Sequence, residues 1–290
     1  MGDIIHTLPA LTDAGNVYPD ITFDWMVEEN FAEIPAWHKL VNKVIPIALR
    51  RWRSFYSDLK SEQYDFIIDA QGLIKSAVLT RIAHGMRCGM DKNSAREPLA
   101  AFFYQRKFSI SKDQHAITRI RQLFSKTLNY EIPCDPPDYG IDIVGADPRV
   151  CPYIVFIHGT SRKDKLWPEE NWIALAKLAA KYPIKIPWHT DEEHERAKRI
   201  AGKCKNVEIL PKTNLTTLKN ILSAANGVIA VDTGLGHLAA ALGVPTISLY
   251  GPTDPKLIGT VGKSVQHLIT KTPGIVDISV DDVPIPKHIM

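Results

Sequence analysis

The sequence predicts an α/β protein of two Rossmann-like domains facing across a cleft. Three observations lead there. From residue 153 onward, short apolar runs alternate with helical stretches of about 10 to 14 residues, the pattern of a parallel sheet covered on both faces. Residues 227–251, GVIAVDTGLGHLAAALGVPTISLYG, read as strand, Gly-containing turn, small-residue helix and strand in one run. The 290 residues, 45% hydrophobic and 23% charged, are enough for two domains of ordinary size.

Taken in order, residues 1–15 read as a loop entering a helix, with Leu8, Leu11 and Ala14 near one face. Residues 21–27 and 44–48 read as strands, and Arg50, Arg51 and Arg53 follow with Trp52 among them. Residues 64–68, YDFII, form a strand that delivers Asp69-Ala70-Gln71-Gly72 into a helix running to residue 83. Residues 87–90 read as a short strand, and 97–104 and 114–128 as helices. The second of these carries Ile117, Ile120, Leu123 and Phe124 at helical spacing. Residues 129–149 are rich in Pro, Asp and Gly and poor in periodic apolar positions, which marks a link between domains. The domains are therefore expected over residues 1–140 and 150–290.

In the second half, a strand at 153–157 ends in His158-Gly159-Thr160-Ser161. A helix at 169–181, a strand at 184–187, a strongly charged helix at 192–203, a strand at 207–210 and a helix at 215–225 follow. Then come a strand at 228–231, a turn at 232–237, a helix at 238–242 stopped by Gly243 and Pro245, and a strand at 246–250. Ligands of such a sheet bind at the carboxyl ends of its strands.

Composition narrows the function classes. A net charge of +3 does not by itself imply nucleic acid, and no basic stripe with interleaved aromatics appears beyond Arg50-Arg51-Trp52-Arg53. Cys88, Cys134, Cys151 and Cys204 are far apart and form no C-x-x-C, which fits a reduced setting without structural zinc. No apolar run reaches the roughly 18 residues of a membrane span. The first residues lack a basic n-region and an uninterrupted apolar stretch, so no signal peptide is expected, and His6 argues against myristoylation.

Three groups fall where strand ends meet a cleft. Asp3, just before the first helix, can take a proton from an attacking hydroxyl, or simply cap that helix. Thr160, Ser161 and Lys165, with Arg162 and Lys163 between them, suit a diphosphate; the plainer alternative is a solvated basic loop. The third group is Asp232, Thr233, Gly234, Leu235, Gly236 and His237. Its turn offers free N–H groups at a helix N-terminus to phosphate, or is an ordinary strand-to-helix turn with a surface His. The chain has no Asp-x-Asp, one common way to hold a metal on a nucleotide-sugar diphosphate. A metal-free transferase relies on Lys, Arg and N–H groups for the leaving group, and these are present.

The stretches GDIIHTLPAL, FDWMVEENFAEIPAWH, IPIALRRWR, YDFIIDAQGLIKSA, SAREPLAAFFY, KDKLWPEENW, EEHERAKR and VDTGLGHLAAALGVPTISLYGPTDP together resemble the lipopolysaccharide heptosyltransferases of glycosyltransferase family 9. The resemblance runs to about residue 262, and GDIIHTLPAL, RRWR and DAQGLIKSA point to the branch that adds the first heptose. It implies a GT-B fold and an inverting transfer from ADP-heptose to Kdo-lipid A. No metal or other cofactor is implied, contact with the cytoplasmic face of the inner membrane is peripheral, and nucleic acid is not a partner. By the same resemblance Asp3 is the general base, and Thr160, Ser161 and Lys165 hold the diphosphate, with Lys165 also assisting catalysis. Glu193 lies near the adenosine ribose. Asp232, Thr233, Gly234, Leu235 and His237 form the donor turn, and Arg50, Arg51, Arg53, Lys75 and Arg96 meet the anionic acceptor.

The sequence departs from the family pattern in four places. The family carries an apolar strand ahead of Met-Gly-Asp, so the sequence as given lacks that strand, and its neighbours are expected to carry unpaired backbone groups. The stretch between Arg53 and Tyr64 is shorter than the pattern. Pro284 and Pro286 interrupt the closing helix. His189 stands where the family usually has Gly. Two alternatives follow: a truncated, non-catalytic nucleotide-sugar-binding remnant, and a related heptosyltransferase with another inner-core acceptor.

Overall fold

A computed structural model describes residues 1–47, 59–60, 62–143, 152–270, 275 and 277–285. The chain divides into two compact units: Asp3–Asp142, and Ile143–Met290 together with Met1–Gly2.

The N-terminal unit opens directly on helix α1 (Gly2–Val17), with no entering loop. Asp3 sits in the first turn, where a carboxylate favours the helix dipole. Pro9 lies inside the helix without ending it, and every residue from 4 to 14 is buried. The expected single apolar face is thus a helix buried all round. Strands β1 (Phe23–Glu28) and β2 (Val41–Ile47) pair in parallel. Strands β3 (Gln63–Ile68), β4 (His84–Met90) and β5 (Arg106–Phe108) form a second parallel sheet. Between them lie α2 (Ile74–Leu79), shorter than its sequence pattern, and a segment at Pro98–Phe103 that is a 3₁₀ rather than an α-helix. Strand β5 was not evident from the sequence. Helix α3 (Ala116–Leu128) closes the unit, capped by His115 at one end and by left-handed Asn129 at the other.

The unit has two sheets where a Rossmann-like unit has one, in line with the unpaired neighbouring strands expected from the sequence. Neither β1 nor β3 has a ladder partner on its second edge among the described residues. Yet both strands pack on shared cores. Phe23, Trp25 and Ile68 lie against Ala10, Leu11, Ile120 and Phe124. Met26 and Ile67 lie against Ile45 and Leu59. The Tyr64 hydroxyl of β3 donates to Asp24 Oδ2 of β1 at 2.9 Å. The strands remain half-exposed, unlike the fully buried central strands of the other unit.

The C-terminal unit is a single six-stranded parallel sheet. Its strands are β6 (Ile154–Ile157), β7 (Ile184–Ile186), β8 (Val207–Ile209), β9 (Gly227–Val231), β10 (Thr246–Tyr250) and β11 (Val265–Ile269). The order is β8-β7-β6-β9-β10-β11, so strand order reverses between β6 and β9. Helices α4 (Glu169–Leu178), α5 (Asp191–Ala201), α6 (Leu215–Ser223), α7 (Gly234–Ala241) and α8 (Pro255–Ile258) connect the strands. Strand β11 and helix α8 lay outside the sequence reading. Phe156, Trp167, Trp172, Ile229 and Leu249 form the core of this unit. Trp167 and Trp172 meet edge-to-face at 5.1 Å, and Trp167 Nε1 donates to the Ile278 carbonyl.

Candidate functional site

The reversal between β6 and β9 creates the crevice where open α/β sheets bind ligands. The segments leaving these two strands meet there. Thr160 Oγ1, after β6, donates to the Asp232 carbonyl, after β9, at 3.2 Å. Lys165 Nζ donates to Asp232 Oδ2 at 2.6 Å, with both side chains mostly buried. An ammonium carries three N–H donors, so Lys165 can hold Asp232 and still serve a phosphate oxygen. Arg162 is taken by Asp164, which holds that carboxyl below its usual range. Lys163, alone of the three cations, has no carboxylate partner among the described residues. Ser161 is exposed in the same loop.

Helix α7 begins at Gly234, not at Leu238 as the pattern suggested, so Gly234, Leu235 and His237 belong to its first turn. Thr233 occupies the N-cap in an extended conformation, and its side chain makes no cap hydrogen bond. The N-terminus therefore presents main-chain N–H groups at the carboxyl end of β9, a natural seat for an anion. His237 is buried, not a surface histidine.

Glu193 approaches from α5. Its Oε2 accepts from the backbone of His189 at 2.7 Å and of Thr190 at 3.2 Å, while Thr190 Oγ1 accepts from Glu193 N. This capping box fixes the carboxylate. Its other oxygen lies so close to Gly159 that a Cβ there would sit 2.3 Å from it. Glycine at 159 is what admits Glu193 to the end of β6. His189 contributes its backbone N–H, which any non-proline residue supplies.

Beneath the loop, His158 is fully buried with neither ring nitrogen hydrogen-bonded. Burial, with Arg196 adding to it, pushes its pKa from 6.5 down to about 4. The folded chain keeps this imidazole neutral while the unfolded chain protonates it. Stability contributed by the neutral ring is present above the unfolded value and is lost as the pH falls from 6.5 towards 4. The full shift corresponds to about 3 kcal/mol. His158→Phe should flatten the fall in melting temperature between about pH 7 and pH 4.5, as read by circular dichroism. A fall as steep as that of the parent chain would show that other groups carry it.

In the N-terminal unit, Asp3 and Arg96 come together: Nη1 of Arg96 lies 3.3 Å from Asp3 Oδ2, and both side chains are largely exposed. The Asp3 carbonyl accepts from Thr7 Oγ1 within the first turn of the helix. Lys75 pairs instead with Glu28 at 2.8 Å, which lowers the pKa of Glu28. Arg50, Arg51 and Arg53 lie outside the described residues.

Sequence reading assigned no role to Asp69, which organises this region. Its buried carboxylate accepts from Gln71 N, Gly72 N, Ser76 Oγ and the Tyr104 hydroxyl, the last at 2.6 Å. Burial and then Asp69 raise the Tyr104 pKa far above its usual value, so the phenol remains a donor. Gly72 takes φ +64°, and Glu97 N donates to its carbonyl, which sets the backbone beside Arg96. The cue was the strand-end Asp two residues before a Gln-Gly pair, where an Asx turn forms.

With that geometry in view, the similarities to known proteins are informative. The family model described as glycosyltransferase family 9 (heptosyltransferase) matches residues 52–278. The chain is 50% identical over 283 residues to lipopolysaccharide heptosyltransferase 1 of Escherichia coli K12, covering 91% of this chain and 89% of that protein. It is 48% identical over 287 residues to the Pseudomonas aeruginosa protein of the same name, covering 92% and 81%. The solved structure of E. coli heptosyltransferase WaaC with ADP matches with a TM-score of 0.92 and 47% identity, over 97% of this chain and 94% of that one. The same enzyme with ADP-2-deoxy-2-fluoro heptose gives 0.89 at 46% identity, with the same coverage.

Proposed function

The chain belongs to glycosyltransferase family 9, the heptosyltransferases, and on that footing we propose that it transfers L-glycero-D-manno-heptose from ADP-heptose to Kdo of Kdo-lipid A. Its fold is of the GT-B class, two mixed α/β units with parallel sheets. The observation that carries the reading is the likeness, at nearly half identity and almost full length, to a heptosyltransferase solved with ADP and with an ADP-heptose analogue.

We assign residue roles from the family resemblance together with the chemistry of each side chain. The acceptor hydroxyl gives its proton to the Asp3 carboxylate, and its oxygen attacks the anomeric carbon. The bond from that carbon to the diphosphate oxygen breaks on the opposite side, so configuration inverts and ADP leaves with the electron pair. Lys165, Lys163, Thr160, Ser161 and the N–H groups at Gly234 and Leu235 take up the charge developing on the diphosphate. That set supports a transfer needing no metal ion. Asp232, Thr233 and His237 face the donor sugar and phosphates. Glu193 accepts from ribose hydroxyls through the oxygen that its capping box leaves over. Arg96, with Lys75 and the Arg50, Arg51 and Arg53 cluster, meets the carboxylate and phosphates of the acceptor. No helix among the described residues is long and apolar enough to cross a membrane, and the enzyme meets its lipid acceptor peripherally, at the cytoplasmic face of the inner membrane.

The test is release of ADP from ADP-heptose on addition of Kdo-lipid A. Acceptor-dependent release supports the reading; ADP-heptose binding without release supports the second one, a non-catalytic nucleotide-sugar-binding protein. Release with a different inner-core acceptor only would shift the assignment within the family. Glu193→Ala should raise the KM for ADP-heptose by roughly 10- to 100-fold, the loss of a hydrogen bond to a charged group, with kcat little changed. An unchanged KM would remove Glu193 from the donor site.

A further inference from the structure

The 3₁₀ helix Pro98–Phe103 buries its two alanines and turns Leu99 and Phe102 outward, while Phe103 packs partly buried against Ala100 and Tyr104. Ala100 and Ala101 are 0% and 5% exposed, whereas Leu99 is 58% and Phe102 is 77% exposed. Core formation favours the reverse arrangement. The segment packs on α2 through Ala77, Ala100 and Tyr104. Glu97 Oε2, just ahead of it, accepts from Ile74 N at 2.6 Å and ties the two elements together. On α2 the same inversion recurs: Ala77 is buried, while Ile74 and Val78 are exposed. Four large apolar side chains thus stand in solvent on two joined elements.

Charge accompanies them. Residues 74–107 hold seven Lys and Arg against Asp91 and Glu97, a local excess of +5 in a chain whose net charge is +3. Arg106 and Lys107, which follow the 3₁₀ helix, are both exposed. Exposed aromatic and aliphatic side chains beside cations suit the boundary between anionic headgroups and acyl chains.

We propose that the 3₁₀ helix and the outer face of α2 seat this protein on an anionic lipid bilayer, with Leu99 and Phe102 entering the acyl boundary and the cations meeting lipid phosphates. Arg96, two residues before Pro98, holds Asp3, so the seat adjoins the carboxylate that takes the acceptor's proton. A saccharide anchored in the bilayer then emerges beside its base. This last link rests on the transferase reading; the bilayer seat does not.

The full chain should float with vesicles of phosphatidylethanolamine and phosphatidylglycerol at least about tenfold more than with phosphatidylcholine vesicles, and added salt should reduce the difference. Leu99→Ser with Phe102→Ser should cut flotation by about tenfold or more at an unchanged melting temperature. Leu178→Ser, a leucine 59% exposed on α4, should float like the parent chain. Turnover of a deacylated, water-soluble acceptor should be unaffected by the double variant, while turnover of vesicle-borne acceptor falls. Flotation of the double variant equal to the parent, or none by the parent chain, overturns the proposal. So does a parent dimer that the double variant dissociates without any effect on vesicles, since the patch then joins two copies. A parent chain that floats but turns over neither acceptor sinks the transferase reading and leaves the seat standing.

Discussion

Asp3→Asn is expected to lower kcat by about 100- to 10,000-fold while leaving the KM for ADP-heptose nearly unchanged. The carboxylate is exposed and, among the described residues, its side chain is committed only to Arg96, so it is open to an incoming hydroxyl. Asparagine keeps the size and removes the proton acceptor. The first turn of α1 tolerates the exchange, because the backbone carbonyl that accepts from Thr7 Oγ1 is unchanged. Arg96→Ala separates the roles further. If Arg96 meets the anionic acceptor, that variant raises the acceptor KM and leaves donor binding alone. Acceptor-dependent ADP release in Asp3→Asn at the parent rate would sink the assignment of the base.

Arg121→Ala should cost about 3 to 5 kcal/mol of stability. Arg121 on α3 holds Asp13 on α1 through Nε at 2.6 Å and Nη2 at 3.0 Å, with side chains only 10% and 6% exposed. It also donates to the carbonyls of Pro133 and Asp135. The bidentate pair thus fixes α1, α3 and the segment after α3 to one another. Truncating the arginine leaves a buried carboxylate and two carbonyls without their donor. A fall of roughly 10 °C in melting temperature is expected for the N-terminal unit. Asp13→Leu with Arg121→Met should recover much of it, because the pair is replaced by apolar groups and neither charge is left alone. A single variant melting within about a degree of the parent would show that water reaches the site and compensates.

The contrast between the two units explains what was readable. Strands β6 and β9 appear in the sequence as unbroken apolar runs because both faces of a parallel strand are buried. Thr160, Lys165, Glu193 and Asp232 stand out as candidates in the sequence because they follow strand ends and match a family pattern. Strand β5 escaped because three residues, Arg-Lys-Phe, carry no periodicity. The start of α7 was misplaced because two glycines ordinarily mark a turn, although here they occupy the first turn of a helix.

By itself, the sequence determined the class of fold, the strand-end positions of the candidate site residues and the family, since each depends on local patterns of burial and on residue types at short spacing. Tertiary structure alone decided which charges meet. Lys165 pairs with Asp232, 67 positions away, Arg121 with Asp13 and Arg96 with Asp3. It also decided that Asp69 gathers Tyr104 and the Gly72 turn, that the N-terminal strands form two sheets, and that Leu99 and Phe102 face solvent. Coulomb attraction and hydrogen bonding act through space, at distances that only the folded chain sets, so no spacing along the sequence announces them.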